Sequence, residues 1–178
     1  TDLLTLSDLE TSPNAELTAV PMSPLIDTTR SQIEALSAGR HHWEWQIEPD
    51  LNLAGNASEL ASAFSNLLTN AIRYTPDAGT IRVKWERQAD GRASFSVTDT
   101  GIGIASEHLP RLSERFYRVD RGRSRAVGGT GLGLAITKHV AMRHDALLDV
   151  QSKLGQGSCF SLVFEPERVL RNPSTASP

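Results

Sequence analysis

The spacing of apolar positions changes several times along the chain, and each change marks an element. Leu3, Leu4, Leu6 and Leu9 keep helical spacing up to Ser12-Pro13-Asn14, which reads as the end of a helix followed by a linker. Ser23 ahead of Pro24 is a helix start, and Leu25, Ile26, Ile33 and Leu36 form its apolar stripe until Gly39 stops it. Over residues 41–47 the period falls to two, with Trp43, Trp45 and Ile47 on one face of a strand. A second helix is predicted from about Asn56-Ala57-Ser58, with Leu60, Phe64, Leu67, Leu68 and Ala71 as its apolar face. It ends before Pro76-Asp77-Ala78-Gly79. Residues 81–85 and 93–97 alternate again, and the short connection containing Asp90-Gly91 makes them a hairpin.

Residues 105–128 read as loop with short helical pieces, a length that inside a compact domain usually serves function. Residues 131–143 return to helical spacing, with Leu132, Leu134, Ala135, Ile136, Val140 and Met142 supplying the apolar faces. Residues 147–151 and 158–164 form a last pair of strands around Lys153-Leu154-Gly155-Gln156-Gly157. From Arg168 the chain is polar and is expected to be disordered. There is no internal repeat. The order of helix, strand, helix, hairpin, long loop, helix and hairpin predicts an α/β two-layer sandwich, with helices stacked on one face of a mixed sheet.

The length of 178 residues fits one domain with tails. A net charge of −3 speaks against a nucleic-acid binder, which usually carries a basic face. Cys159 is the only cysteine, so no internal disulfide forms, and its place in an alternating apolar run reads as a small buried side chain. No apolar stretch approaches the length of a membrane span, and no signal-peptide pattern is present. The chain opens in mid-pattern at Thr1 and reads as a piece of a longer protein.

Four motifs carry candidate chemistry. In Asn66-Leu67-Leu68-Thr69-Asn70-Ala71-Ile72-Arg73-Tyr74-Thr75, the residues Asn66, Asn70 and Arg73 share one helical face. Asparagine is a poor helix former, so two on one face ask for a reason. Carboxamide oxygens can ligate Mg²⁺ on a phosphate substrate, with Arg73 reaching the phosphates; a solvated polar face is the plainer reading. In Asp99-Thr100-Gly101-Ile102-Gly103-Ile104, a carboxylate ends a strand above a glycine floor, where it can accept from an exocyclic amine such as N6 of adenine. Guanine presents a carbonyl at that place. A simple strand-end turn has the same composition. The third motif holds Arg115, Arg118, Arg121, Arg123 and Arg125, guanidinium groups able to grip phosphate, with Phe116 and Tyr117 as an apolar anchor. The fourth, Gly128-Gly129-Thr130-Gly131-Leu132-Gly133-Leu134, runs straight into a helix, whose free N–H groups suit an anion. It lacks the Lys-Ser/Thr pair of a Walker A loop and the strand–helix setting of a dinucleotide fingerprint. No histidine pairs with Cys or Glu at a zinc spacing.

These motifs, in this order, resemble the N, G1, F and G2 boxes of sensor histidine kinases, and Gly155-Gln156-Gly157 fits a weaker G3 position. The resemblance covers about residues 15–166. Leu112-Ser113-Glu114-Arg115-Phe116-Tyr117-Arg118-Val119-Asp120 and the glycine run after it are most similar to phosphate-regulon sensor kinases. The resemblance implies the GHKL (Bergerat) ATP-binding fold, with a mostly antiparallel sheet and a long ATP lid. It implies that Asn70 is the Mg²⁺ ligand, assisted by Asn66. Arg73 would stand near the terminal phosphates and Tyr74 beside the adenine. Asp99 would bind the adenine amine, with Gly101, Gly103 and Ile104 in the pocket floor. Tyr117, Arg118 and Arg123 would act from the lid. Thr130, Gly131, Leu132 and Gly133 would offer backbone to phosphate. The catalytic set that the resemblance implies is Asn70, Arg73 and Arg118.

The family's phospho-accepting His lies on a dimerisation helix that would precede Thr1, and no His here has its setting. The resemblance therefore implies three segments: the end of the dimerisation domain's second helix with a linker (1–14), the catalytic and ATP-binding domain (15–166) and a disordered tail (167–178). Mg-ATP would be the cofactor, with ADP as product. The partners would be the dimerisation domain and the receiver domain of a response regulator. The whole protein would be a homodimer, anchored in the inner membrane with this domain in the cytoplasm. The fragment itself is expected to be mostly monomeric.

Overall fold

The computed structural model describes residues 17–117 and 132–171, together with Ser7. The helix end and linker expected at residues 3–14 lie outside them. The elements run β1 (Thr18–Val20), α1 (Met22–Ser37), β2 (His42–Ile47), β3 (Leu51–Gly55), α2 (Ala57–Tyr74), β4 (Thr80–Arg87), β5 (Ala93–Asp99), α3 (Gly133–Arg143), β6 (Ala146–Lys153), β7 (Gly157–Phe164) and β8 (Val169–Arg171). Two short 3-10 helices cover Ser106–Arg111 and Pro166–Arg168.

The main sheet has five strands in the order β2-β4-β5-β7-β6. Only β2 and β4 run parallel; the others are antiparallel. Its inner face carries Ile81, Val83 and Trp85 from β4, Phe95 and Val97 from β5, and Phe160, Leu162 and Phe164 from β7, all buried. Helix α2 lies on this face through Leu60, Ala63, Phe64, Leu67, Leu68, Ala71 and Ile72. Phe64 stacks on Phe95 with ring centroids 3.9 Å apart, fixing the helix against the sheet. Each such large side chain contributes about 1.5–3 kcal/mol by leaving water. Helices α1 and α3 flank α2 and complete the two-layer sandwich read from the sequence.

The ends of α2 are held from outside the helix. The Asn56 side chain caps it by accepting from the Glu59 N–H at 3.0 Å. A capping box would return the Glu59 carboxylate to the Asn56 N–H. Here that N–H donates to Nε2 of His144, and Glu59 pairs with Arg143 at 2.6 Å. His144 is fully buried, with Nδ1 donating to the Val140 carbonyl, so it is neutral with its proton on Nδ1. At the other end, His41 bridges Ser37 of α1 and the Thr75 carbonyl.

Several expectations need correction. Helix α1 begins at Met22, after Pro21, so Ser23 is inside it; the Met22 N–H is capped at long range by the Asn52 side chain. Ala38, ahead of Gly39, is the first residue to take the left-handed conformation that ends α1. Leu36 and Met142 are exposed and are not part of the apolar faces assigned to them. A second sheet, β1-β3-β8, has no counterpart in the expected layout. Its strand β8 uses residues 169–171, so the first part of the polar tail is ordered against β3.

Candidate functional site

Strand β5 ends at Asp99, whose carboxylate is almost wholly buried at 5% exposure. Its Oδ1 accepts from the N–H of Gly101 at 2.9 Å and of Ser158 at 3.3 Å. Burial raises the Asp99 pKa above the ordinary value, and these two N–H groups oppose that rise. Both bonds fall on Oδ1, and Oδ2 takes part in neither. An ionised carboxylate held in a poorly solvated position favours a donor that can satisfy it.

The loop after Asp99 is locked between the C-terminus of α2 and the β6–β7 turn. Ile102 N–H donates to the Tyr74 carbonyl, Gly155 N–H to the Ile102 carbonyl, and Ile104 N–H to Ser152 Oγ. Gly101 is required because a Cβ there would stand 2.3 Å from the Tyr74 carbonyl oxygen. Gly103 has φ +69°, and a Cβ on it would meet the Lys153 carbonyl oxygen at 2.1 Å. These glycines let three backbones meet under the carboxylate. Tyr74 joins the site through its carbonyl, and its half-buried ring is on the same last turn of α2.

Asn66, Asn70 and Arg73 are half-buried along α2, on the side facing away from its core stripe. The start of α3 lies over Asn66: a Cβ on Gly133 would be 3.6 Å from the Asn66 carboxamide carbon and oxygen. The structure thus brings the asparagine helix and the end of the glycine run together. The Asn66 Nδ2 is buried beside the N-terminus of α3 and has no hydrogen-bond partner among the described residues. Leu132 is buried at the head of α3, and its carbonyl accepts from Ile136 N–H at 2.9 Å. Hard oxygen donors from carboxamides fit Mg²⁺ shared with a polyphosphate. Among the described residues no cluster of His, Cys, Asp and Glu is gathered that could hold a metal.

Arg118, Arg123, Thr130 and Gly131 lie outside the described residues. Of the expected apolar anchor before them, Phe116 is 61% exposed in a left-handed conformation (φ 62°), so only Tyr117 packs. The Tyr117 hydroxyl is bonded to Nδ1 of His108, and the Arg111 guanidinium lies 4.4 Å over its ring.

Sequence reasoning missed Ser152 and Ser158 as parts of the site, and it read Gly157 only as part of a weaker G3 position. Gly157, at φ +112°, brings β7 against Asp99, where a Cβ would stand 2.1 Å from the Asp99 carbonyl oxygen. The signal was available only through register, since Asp99 pairs with Ser158 across strands 59 residues apart.

The chain is similar to known proteins over most of its length. Residues 55–168 match the family described as histidine kinase-, DNA gyrase B-, and HSP90-like ATPase. The chain is 49% identical over 170 residues to the phosphate regulon sensor protein PhoR of Pseudomonas aeruginosa, covering 94% of this chain and 38% of that protein. It is 40% identical over 163 residues to PhoR of Haemophilus influenzae, covering 92% and 38%. The chain thus spans little more than a third of these relatives. Among solved structures, the mycobacterial sensor histidine kinase MprB superposes with a TM-score of 0.77 at 27% identity, over 87% of this chain and 100% of that one. Full-length ShkA in complex with AMPPNP gives 0.78 at 26% identity, over 97% and 36%.

Proposed function

Since the chain belongs to the histidine kinase-, DNA gyrase B- and HSP90-like ATPase family, we propose that it is the ATP-binding catalytic domain of a two-component sensor histidine kinase. It binds Mg-ATP and donates the γ-phosphoryl group to a His on a dimerisation domain, for relay to an Asp on a response regulator. Two contacts at one helix, α2, support the reading. The buried Asp99 stands beside the glycine loop that packs on the C-terminal end of α2, and the N-terminus of α3 meets the asparagine face of the same helix.

In this reading Asp99 Oδ2 accepts from the adenine amine, with Gly101, Gly103, Ile104 and Tyr74 around the base. Asn70 and Asn66 hold Mg²⁺ and phosphate oxygens through their carboxamides, and the buried Asn66 Nδ2 donates to a phosphate oxygen. Mg²⁺ supplies charge neutralisation at the phosphates. Arg73, with Arg118 and Arg123, balances charge during transfer, and Thr130, Gly131, Leu132 and Gly133 offer backbone to the phosphates. The catalytic and ATP-binding domain is read as residues 15–166, and β8, paired with β3, adds residues 169–171 to its folded part. No described helix is long and apolar enough to cross a membrane. The domain works on the cytoplasmic side of an anchored homodimer, as suits a relative of sensor kinases.

An ATPase that hydrolyses ATP to drive conformational change is the alternative, and such enzymes carry a Glu base on the helix of the metal-binding Asn. The acid on this helix, Glu59, is tied to Arg143 at 2.6 Å, with both side chains about 15% exposed. That pairing favours the kinase. A calorimetric titration with AMPPNP, with and without Mg²⁺, tests the reading. Mg²⁺-dependent binding whose metal dependence disappears in Asn70→Ala supports it; no binding to folded protein overturns it.

A further inference from the structure

Helix α3 meets α2 at both of its ends, and the two contacts differ in kind. At the head, Gly133 rests against the Asn66 carboxamide, which a Cβ would approach to 3.6 Å. At the far end, directional bonds tie Arg143 and His144 to the N-terminal end of α2. The Arg143 guanidinium donates to both oxygens of Glu59, Nε at 2.6 Å and Nη2 at 3.4 Å. His144 Nε2 accepts from the Asn56 N–H at 3.0 Å while Nδ1 donates to the Val140 carbonyl at 2.7 Å. One buried ring thus joins the cap of α2 to the last turn of α3. The main chain of β3 closes on it: a Cβ on Gly55 would stand 2.6 Å from the ring carbon Cδ2 and 2.8 Å from Nε2, displacing the imidazole. Arg168 completes the cluster by donating to Asp145 and to the Ala54 and Arg143 carbonyls. At eleven residues α3 is about 16 Å long, so a shift at its far end is carried to its head. Backbone N–H groups there bind an anion only at hydrogen-bond distance, and a displacement of about 1 Å is enough to weaken them.

We propose that His144 is a positioning residue for the phosphate end of the nucleotide site: with the Glu59–Arg143 pair it fixes α3 along α2, and so sets where the head of α3 meets Asn66. The inference rests on the nucleotide reading above and deepens it. His144 acts through α3, from the end opposite Gly133, and need not touch ligand. The role requires a neutral imidazole, because a protonated ring would set Nε2–H against the Asn56 N–H. Burial holds the His144 pKa below its ordinary value; Arg168 and Arg143 reinforce that shift, while the Val140 carbonyl and Glu59 oppose it. Asp145, the next residue, is engaged by Arg168 at 3.0 Å. Phosphate binding is therefore full while His144 is neutral and falls as pH drops through its folded value.

The test uses the chain as it stands, AMPPNP with Mg²⁺ as the probe, and the variants His144→Leu and His144→Gln. Thermal melts establish that each folds. His144→Leu fills the space but offers the Asn56 N–H no acceptor; the carboxamide of His144→Gln restores one and does not titrate. At pH 7.5 His144→Leu should bind AMPPNP about three- to tenfold more weakly, the size of one modest hydrogen bond, and His144→Gln should recover most of that loss. From pH 7.5 to pH 5 the ratio of parent affinity to His144→Gln affinity should fall; the ratio cancels titration of the nucleotide and of the other histidines. Without nucleotide, the Gly133 amide and Asn66 side-chain amide resonances should move in His144→Leu and return in His144→Gln. Equal affinity in the three folded proteins, a ratio that is flat with pH, or unmoved Gly133 and Asn66 resonances overturns the proposal. If His144→Leu does not fold, the pH ratio decides alone. An absence of AMPPNP binding to the parent chain overturns the nucleotide reading instead, and the resonances then decide whether His144 sets the head of α3.

Discussion

Replacing Asp99 with Asn separates what this residue does for the fold from what it does for a ligand. The two side chains have one shape. The Asn Oδ1 can keep both backbone bonds, from Gly101 at 2.9 Å and Ser158 at 3.3 Å, so the loop should not move. The charge disappears. Because burial raises the folded-state pKa of Asp99, the native state favours the protonated carboxyl. Its contribution to stability is present in full below the unfolded value of 3.8 and is lost as pH rises through the folded value. At neutral pH the ionised group therefore costs stability, about 1.4 kcal/mol for every tenfold by which folding tightens its hold on the proton. Asp99→Asn should thus melt at or above the parent temperature at pH 7, with the difference closing in acid. Binding should go the other way. A hydrogen bond to a charged acceptor contributes about 1.5–3 kcal/mol, so ATP affinity should fall about 10- to 150-fold. The Nδ2 that replaces Oδ2 is a donor, which repels an adenine amine and suits a carbonyl. ITP should consequently lose less than ATP, or gain. Titration calorimetry of both nucleotides against both proteins, with melts at pH 7 and pH 4, measures all of this. Unchanged ATP affinity in a folded variant, or a clearly lower melting temperature at pH 7, would refute the reasoning.

Other outcomes follow from the same contacts. Gly157→Ala forces a Cβ to 2.1 Å from the Asp99 carbonyl oxygen at φ +112°, and should cost about 3 kcal/mol or more, lowering Tm by about 6–12 °C. Gly155→Ala, at φ +81° in open space, should cost only about 1–2 kcal/mol; equal melting of the two would show that the packing reading is wrong. In Gly133→Ala the methyl lies at ordinary contact distance from Asn66, so Tm should hold or rise while AMPPNP binding weakens; full binding would place phosphate elsewhere. His144 is buried and neutral, with its pKa lowered first by burial. Its stabilisation is present above its unfolded value of 6.5 and is lost as pH falls from there toward the folded value. Tm should decline from pH 7.5 to pH 5.5, more shallowly in His144→Gln; some slope should remain from His139, whose pKa is also lowered.

The sequence made the main layers readable because their signals are local. Phe64, Leu67, Leu68 and Ala71 keep helical period, and Ile81, Val83 and Trp85 keep strand period, so α2 and β4 could be drawn and their faces assigned. What escaped depends on distant partners. Strands β1 and β8 have three residues each and exist only because β3 lies between them. Helix α1 starts where Asn52, thirty residues on, supplies its cap, so no local signal could mark Met22. The candidate site divides in the same way. Asp99, Asn66, Asn70 and the glycines were visible as motifs. Ser158 was not, since it acts through a backbone N–H available to any residue, and only strand register brings it to Asp99. Phe116 and Tyr117 look alike in sequence, yet one is exposed and the other clasped, because a left-handed residue turns them apart.

The central claim is that this site presents a γ-phosphoryl group to a histidine and not to water. The direct measurement is transfer of ³²P from [γ-³²P]ATP to a PhoR-type dimerisation domain supplied in trans, with released phosphate followed in parallel. The account predicts label on the added domain that is stable to alkali and labile to acid, lost when the acceptor His is replaced and when Asn70→Ala is used. Label appearing only as free phosphate, at a rate indifferent to the added domain, would contradict it.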